Sequence, residues 1–136
     1  MIPALSIALS GMNAASTQLS AAAANIANAQ TDGALPDTPG ADQSPVYQPV
    51  RVTLSDAAVN GQPAGVAATT SRSSSFSTAY DPDAPYADAR GMVATPNVDV
   101  GTELANAETA RFQYLASAKV IHVVDQMQKA AINILA

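Results

Sequence analysis

The sequence predicts a mainly α-helical, extended chain in which long N- and C-terminal helices pack as a coiled coil around a small β-rich insert. Three observations carry this expectation. Residues Met1 to Thr31 hold no charged side chain, yet place large apolar residues at helical spacing. Eight of the nine prolines fall between residues 36 and 96, where they exclude long helices. A second long helical pattern follows Asp99. The expected regions are therefore an N-terminal assembly helix over 1–30, a loop and β-rich middle over 31–96 and a C-terminal assembly helix over 97–136.

Pro3 is admissible in the first turn of the N-terminal helix, because that N–H has no partner there. Leu5, Leu9, Met12, Ser16, Leu19, Ala23 and Ile26 alternate spacings of four and three, which predicts a coiled-coil seam. A helix running to Ala29 would be about 40 Å long, too long to be buried unless a second long helix runs beside it. Its remaining faces carry Ser, Thr, Ala and Asn instead of Lys and Glu, the pattern of a helix that expects to be covered. Ser6, Ser10, Asn13, Ser16, Thr17, Gln18, Ser20, Asn25 and Asn28 interrupt every apolar run, so the segment is not expected to span a membrane. It also lacks the basic start of a cleaved signal.

In the middle region, Val46, Gln48, Val50, Val52 and Leu54 alternate onto one face, and Pro49 predicts either an edge strand or a strand that begins after it. Asn60-Gly61 predicts a turn into a second strand around Gly65 to Ser71. Asp99 is the expected N-cap of the C-terminal helix, with Glu103 and Glu108 toward its positive end and Lys119 and Lys129 nearer its negative end. Leu104, Ala107, Tyr114, Ala118 and Ile121 mark one stripe of that helix, and Val120, Val124, Met127, Ala131 and Ile134 mark a second, offset one. The offset predicts either a stutter near Ser117 or two partners on different faces.

Composition narrows the function classes. Aromatic residues make up 4% of the chain and Trp is absent, so a self-sufficient core would be weakly stabilised. Alanine-rich helices suit close helix pairing, with the missing burial supplied by neighbouring subunits. A net charge of −5, with the first basic residue at Arg51, offers phosphates no basic patch, so no nucleic-acid partner is expected. The absence of cysteine removes disulfides, thiolate metal sites and a thiol nucleophile.

No catalytic constellation is found. The lone His122 has no second histidine or cysteine to make a metal pair, and no oxyanion loop or phosphate-binding glycine loop is present. Asp81, Asp83 and Asp88 lie in one loop, but Pro85 and Tyr86 stand where a calcium loop needs a further ligand and a glycine. No catalytic residue, cofactor, metal or small-molecule substrate is therefore expected. Asn25 and Asn28 are expected either to finish a helix or to fix helix register in an assembly. Tyr114 and Met127 read equally as interface anchors and as coiled-coil core. The candidate assembly interface is Leu5, Leu9, Met12, Leu19, Asn25, Ile26, Asn28, Leu104, Tyr114, Ile121, Val124 and Met127.

The motifs at both ends resemble the flagellar axial protein family, and within it the rod subunits. Ser10-Gly11-Met12, Leu19, and Ala24-Asn25-Ile26-Ala27-Asn28-Ala29 followed by Thr31 match the N-terminal signature shared by rod and hook proteins. Tyr80-Asp81-Pro82, Pro85, Ala87-Asp88, Gly91, Val93 and Pro96-Asn97-Val98 resemble the approach to the C-terminal helix in small proximal-rod subunits. The chain departs from that pattern at Gln18, where rod subunits often carry a basic residue, and at Met92, where they have Tyr. The resemblance implies a structural, non-enzymatic subunit of the periplasmic rod of the flagellar basal body, which serves motility. It implies export by the flagellar type III apparatus without a cleaved signal. The implied partners are other copies of the chain and other rod subunits, joined in a helical assembly. Alternatives are another rod or hook-associated protein, or a non-flagellar secreted coiled-coil binding module.

Overall fold

The computed structural model describes residues 2–36, 38 and 45–135; the side chains of Ile2, Pro3, Ile134 and Leu135, and Pro39 altogether, lie outside the described residues. The chain runs through helix α1 (Ile2–Ala27), strands β1 (Val50–Val59), β2 (Gln62–Arg72), β3 (Phe76–Tyr80) and β4 (Met92–Pro96), and helix α2 (Val100–Leu135). A helical pair of ends around a small β insert is thus observed. The chain divides into two compact units that do not follow chain order: Met1–Ser20, Val52–Thr70 and Ala105–Ala136 form one, and Ala21–Arg51 and Ser71–Leu104 form the other.

In the first unit the interior is made of alanine. Ala8, Ala14, Ala15 and Ala110 are buried, and Gly11 lies so near α2 that a Cβ there would stand 2.8 Å from the Ser117 hydroxyl. Small side chains bring backbones close, so packing is gained from proximity and not from bulk. This corrects the expected seam. The least exposed face of α1 runs through the buried Ala8 and Ala15 and the half-buried Gly11 and Gln18, whereas of the expected seam Leu5, Leu9, Ser16 and Leu19 are exposed and Met12 is half-buried.

The hairpin β1–β2 belongs to this unit over most of its length. β1 begins immediately after Pro49, as one of the two readings required. Asn60 and Gly61, at φ of 53° and 76°, make the left-handed two-residue turn that a tight hairpin demands. Where β2 crosses α1, Gly65 has a φ of 123°, and a Cβ there would run into the side chain of Ser10. The Ser10 hydroxyl donates to the Ile7 carbonyl at 2.7 Å and accepts the Val66 N–H at 3.1 Å, pinning strand to helix.

In the second unit β3 pairs antiparallel with β4, Phe76 opposite Pro96 and Tyr80 opposite Met92. Both strands fall in the expected loop and β-rich middle region, though neither was placed individually. Val93 and Ala94 at the centre of β4 are fully buried. Gly33 adds a bridge on the other side, exchanging backbone hydrogen bonds with Ala94 at 2.9 and 2.8 Å. Asp88 ties down the β3–β4 connection: one oxygen accepts the Arg90 and Met92 N–H groups and the other pairs with the Arg90 guanidinium at 3.0 Å.

Asp99 caps α2 as expected, accepting the Gly101 N–H at 3.0 Å and the Thr102 hydroxyl at 2.6 Å. Only Glu103 lies in the first turn and no basic residue in the last, so the expected charge order is partial; Lys129 instead pairs with Asp125, and Glu108 with Arg111. The helix is unbroken through Ser117. Its less exposed positions are Glu103, Ala107, Ala110, Ser117, Ala118, Ile121, Val124, Asp125 and Gln128. The offset stripe lies on a different face of this continuous helix.

Candidate assembly surface

The end of α1 is organised by Asn25, 1% exposed and the one buried polar residue among those described. Its amide nitrogen donates to the Val50 carbonyl and to Glu103 Oε1, both at 2.9 Å. Its amide oxygen accepts the Val50 N–H at 2.8 Å and the Tyr47 hydroxyl at 3.1 Å. All four hydrogen-bonding positions of the side chain are filled, which is what makes burial of an amide affordable in free energy. One side chain thereby joins the end of α1, the start of β1 and the first turn of α2. Three residues on, Asn28 donates to the Ala24 carbonyl at 2.9 Å, which also accepts the Asn28 N–H at 3.1 Å, and accepts the Thr31 hydroxyl at 3.3 Å, closing the helix end.

The other candidate residues divide by exposure. On α1, Leu5, Leu9 and Leu19 are 39%, 51% and 43% exposed, while Met12 and Ile26, and Asn28 just past the helix, are half-buried. On α2, Leu104, Tyr114 and Met127 are exposed and Ile121 and Val124 half-buried. The leucine stripe lies roughly 110° around α1 from the alanine face, so the helix can keep its internal packing and still offer a second apolar flank. Helix α2 offers one too, which sequence periodicity had only partly identified: Phe112, Val120 and Val123 are exposed beside Met127. Ser10, Gly65, Tyr47 and Glu103, which hold the helices to the insert, were not singled out for that role, because their partners lie 22 to 78 residues away in the chain.

His122 is exposed and touches Gln126 at 3.2 Å along its own helix. Among the described residues no helix is long and apolar enough to cross a membrane.

Two terminal helices with uncovered apolar flanks, tied to a β insert by polar junctions, suit a subunit of an axial assembly. Residues 5–34 match the family described as "Flagella basal body rod protein", and residues 89–134 match "Flagellar basal body rod FlgEFG protein C-terminal". Together they define the class as the flagellar rod-type proteins. The chain is similar to the flagellar basal-body rod protein FlgC of Salmonella typhimurium, 36% identical over 89% of this chain and 87% of the relative. It is also 36% identical to FlgC of Agrobacterium fabrum, over 95% and 91%, and 35% identical to that of Escherichia coli O6:H1, over 89% and 87%. The chain belongs to the FlgC family of flagellar basal-body rod proteins.

Proposed function

We propose that this chain is a structural subunit of the proximal part of the flagellar basal-body rod. It polymerises through α1 and α2 with further copies and other rod subunits into the axial drive shaft, and it carries out no catalysis. Delivery to the periplasm by the flagellar type III export apparatus, and coiled-coil pairing of α1 with α2, belong to the same reading.

The carrying observation is the exposure of Leu5, Leu9 and Leu19 on a helix with no charged residue. Full burial of a leucine is worth about 1.5–3 kcal/mol, and an uncharged helix gains little from water, so the favourable state of this flank is a covered one. Family membership supplies the kind of cover, the neighbouring subunits of a rod. The filled hydrogen bonds of Asn25 support a second part of the reading: it and Asn28 hold the helix end in the arrangement from which Leu19 and Ile26 meet a neighbour.

Deletion of the gene, followed by electron microscopy of isolated basal bodies, tests the proposal. Loss of rods, restored by the full chain and not by a chain lacking residues 1–29, is the expected result. Intact rods in the deletion strain would overturn it.

A further inference from the structure

Six charged side chains lie on α2, namely Glu103, Glu108, Arg111, Lys119, Asp125 and Lys129. At about 100° per residue they all fall within a sector of roughly 160°, which leaves the rest of the helix surface uncharged. Part of that remainder is the less exposed face through Ala110 and Ser117. The other part is a flank about 80° wide, formed by Phe112, Ala116, Val120, Val123 and Met127. Every one of these five is exposed, Phe112 at 65% and Met127 at 58%. A solvated helix flank ordinarily carries charge, and contiguous exposed apolar surface on this scale marks an interaction site.

We infer that this flank of α2 seats the leucine flank of α1 from a second copy of the chain. The inference rests on the proposed function and specifies which surface meets which. Two properties identify the occupant. The first is electrostatic: a charge-free flank accepts without desolvation cost only a partner that buries no charge against it, and residues 1–31 of this same chain are uncharged on every side. The second is dimensional. Leu5 to Leu19 spans about 21 Å of helix and Phe112 to Met127 about 22 Å at 1.5 Å per residue, so the two flanks cover one another end to end. Both lie in the first compact unit, and they are different surfaces. A contact between unlike surfaces leaves each new copy with a free flank, so it propagates, whereas a leucine-to-leucine contact would close after two copies.

The absence of native cysteine gives a clean test. Full-length Leu9→Cys and Val120→Cys chains, carrying tags of different size, are co-expressed in the deletion strain and treated with a flexible bismaleimide. The mixed Leu9–Val120 adduct is expected in several-fold excess over either adduct of like chains. A second pair, Leu19→Cys with Phe112→Cys, covers the case in which one variant fails to assemble. Predominance of Leu9–Leu9 adducts would overturn the inference in favour of a closed contact. No adduct in cells that build rods, with both thiols reactive to a monomaleimide, would overturn it in favour of a different rod subunit as occupant and leave the proposed function standing. Failure of the unmodified chain to restore rods would remove the proposed function itself.

Discussion

Asn25 and Leu19 stand six residues apart on α1 and solve opposite problems. Asn25 is polar and buried, and each of its amide positions finds a partner within the chain. Leu19 is apolar and 43% exposed, with its favourable contacts still to be made. The interior of this protein is held by small side chains, Val93 and a satisfied amide, while most of its leucines face outward. That inverts the usual distribution. The difference between the two sites separates what the chain needs in order to fold from what it needs in order to assemble, and substitutions should separate them as well.

The largest effect is expected on the outward side. Leu9→Asp combined with Leu19→Asp should abolish incorporation into rods, because charge would be buried at a neighbour's apolar surface. Urea unfolding of the same variant should stay within about 0.5 kcal/mol of the parent, as for other exposed sites. A large drop in folding stability would show that the leucine flank is internal core after all. Asn25→Ala probes the opposite site. It strands the Val50 backbone groups, the Tyr47 hydroxyl and Glu103, and a loss of roughly 3 kcal/mol in urea unfolding is expected from the unpaired groups. An unchanged midpoint would mean that water replaces the amide without cost. Gly65→Ala comes next, with a loss on the order of 1–3 kcal/mol for a strained backbone, increased by collision with Ser10. Hydrogen exchange should report it as selective loss of protection at Val66, and uniform loss along the chain would contradict a local junction.

Much of this division was legible in the residue pattern, and the rest was hidden for identifiable reasons. The helices, the Asn60-Gly61 turn, the start of β1 after Pro49 and the Asp99 cap each follow from local chemistry, and local chemistry is what a sequence displays. The inward face of α1 was misassigned because hydrophobic size was taken as the guide to burial. Close packing here favours Ala8, Ala15 and Gly11 over Leu5, Leu9 and Leu19. Strands β3 and β4 were not placed because each has only five residues and they flank a proline-bearing loop; Asp88 was read as part of that loop and of the family motif, but not as the residue that braces it. The partners of Asn25 depend on tertiary contact across as many as 78 residues, beyond any periodicity. The second flank of α2 could have been found by plotting charged positions instead of apolar ones.

The smallest expected effect is electrostatic and local to the two carboxylates that brace the C-terminal half. The Thr102 hydroxyl, with the Gly101 and Thr102 N–H groups, holds the Asp99 carboxyl below its ordinary value of 3.8. The Met92 N–H does the same for Asp88, aided by Arg90 and opposed by partial burial. A carboxyl whose value is lower in the folded chain binds its proton more readily when unfolded. Its contribution to stability is therefore complete above the ordinary value and lost as the pH falls through the lowered one. Stability to urea should thus be flat in these two groups above about pH 5 and decline below 3.8. Asp99→Asn keeps a competent cap, since Asn serves that position as well as Asp, but removes the titration. The variant should fold at neutral pH and show a shallower acid decline than the parent. Identical acid slopes for the two would mean that the cap acts through hydrogen-bond geometry alone, with no share in the charge.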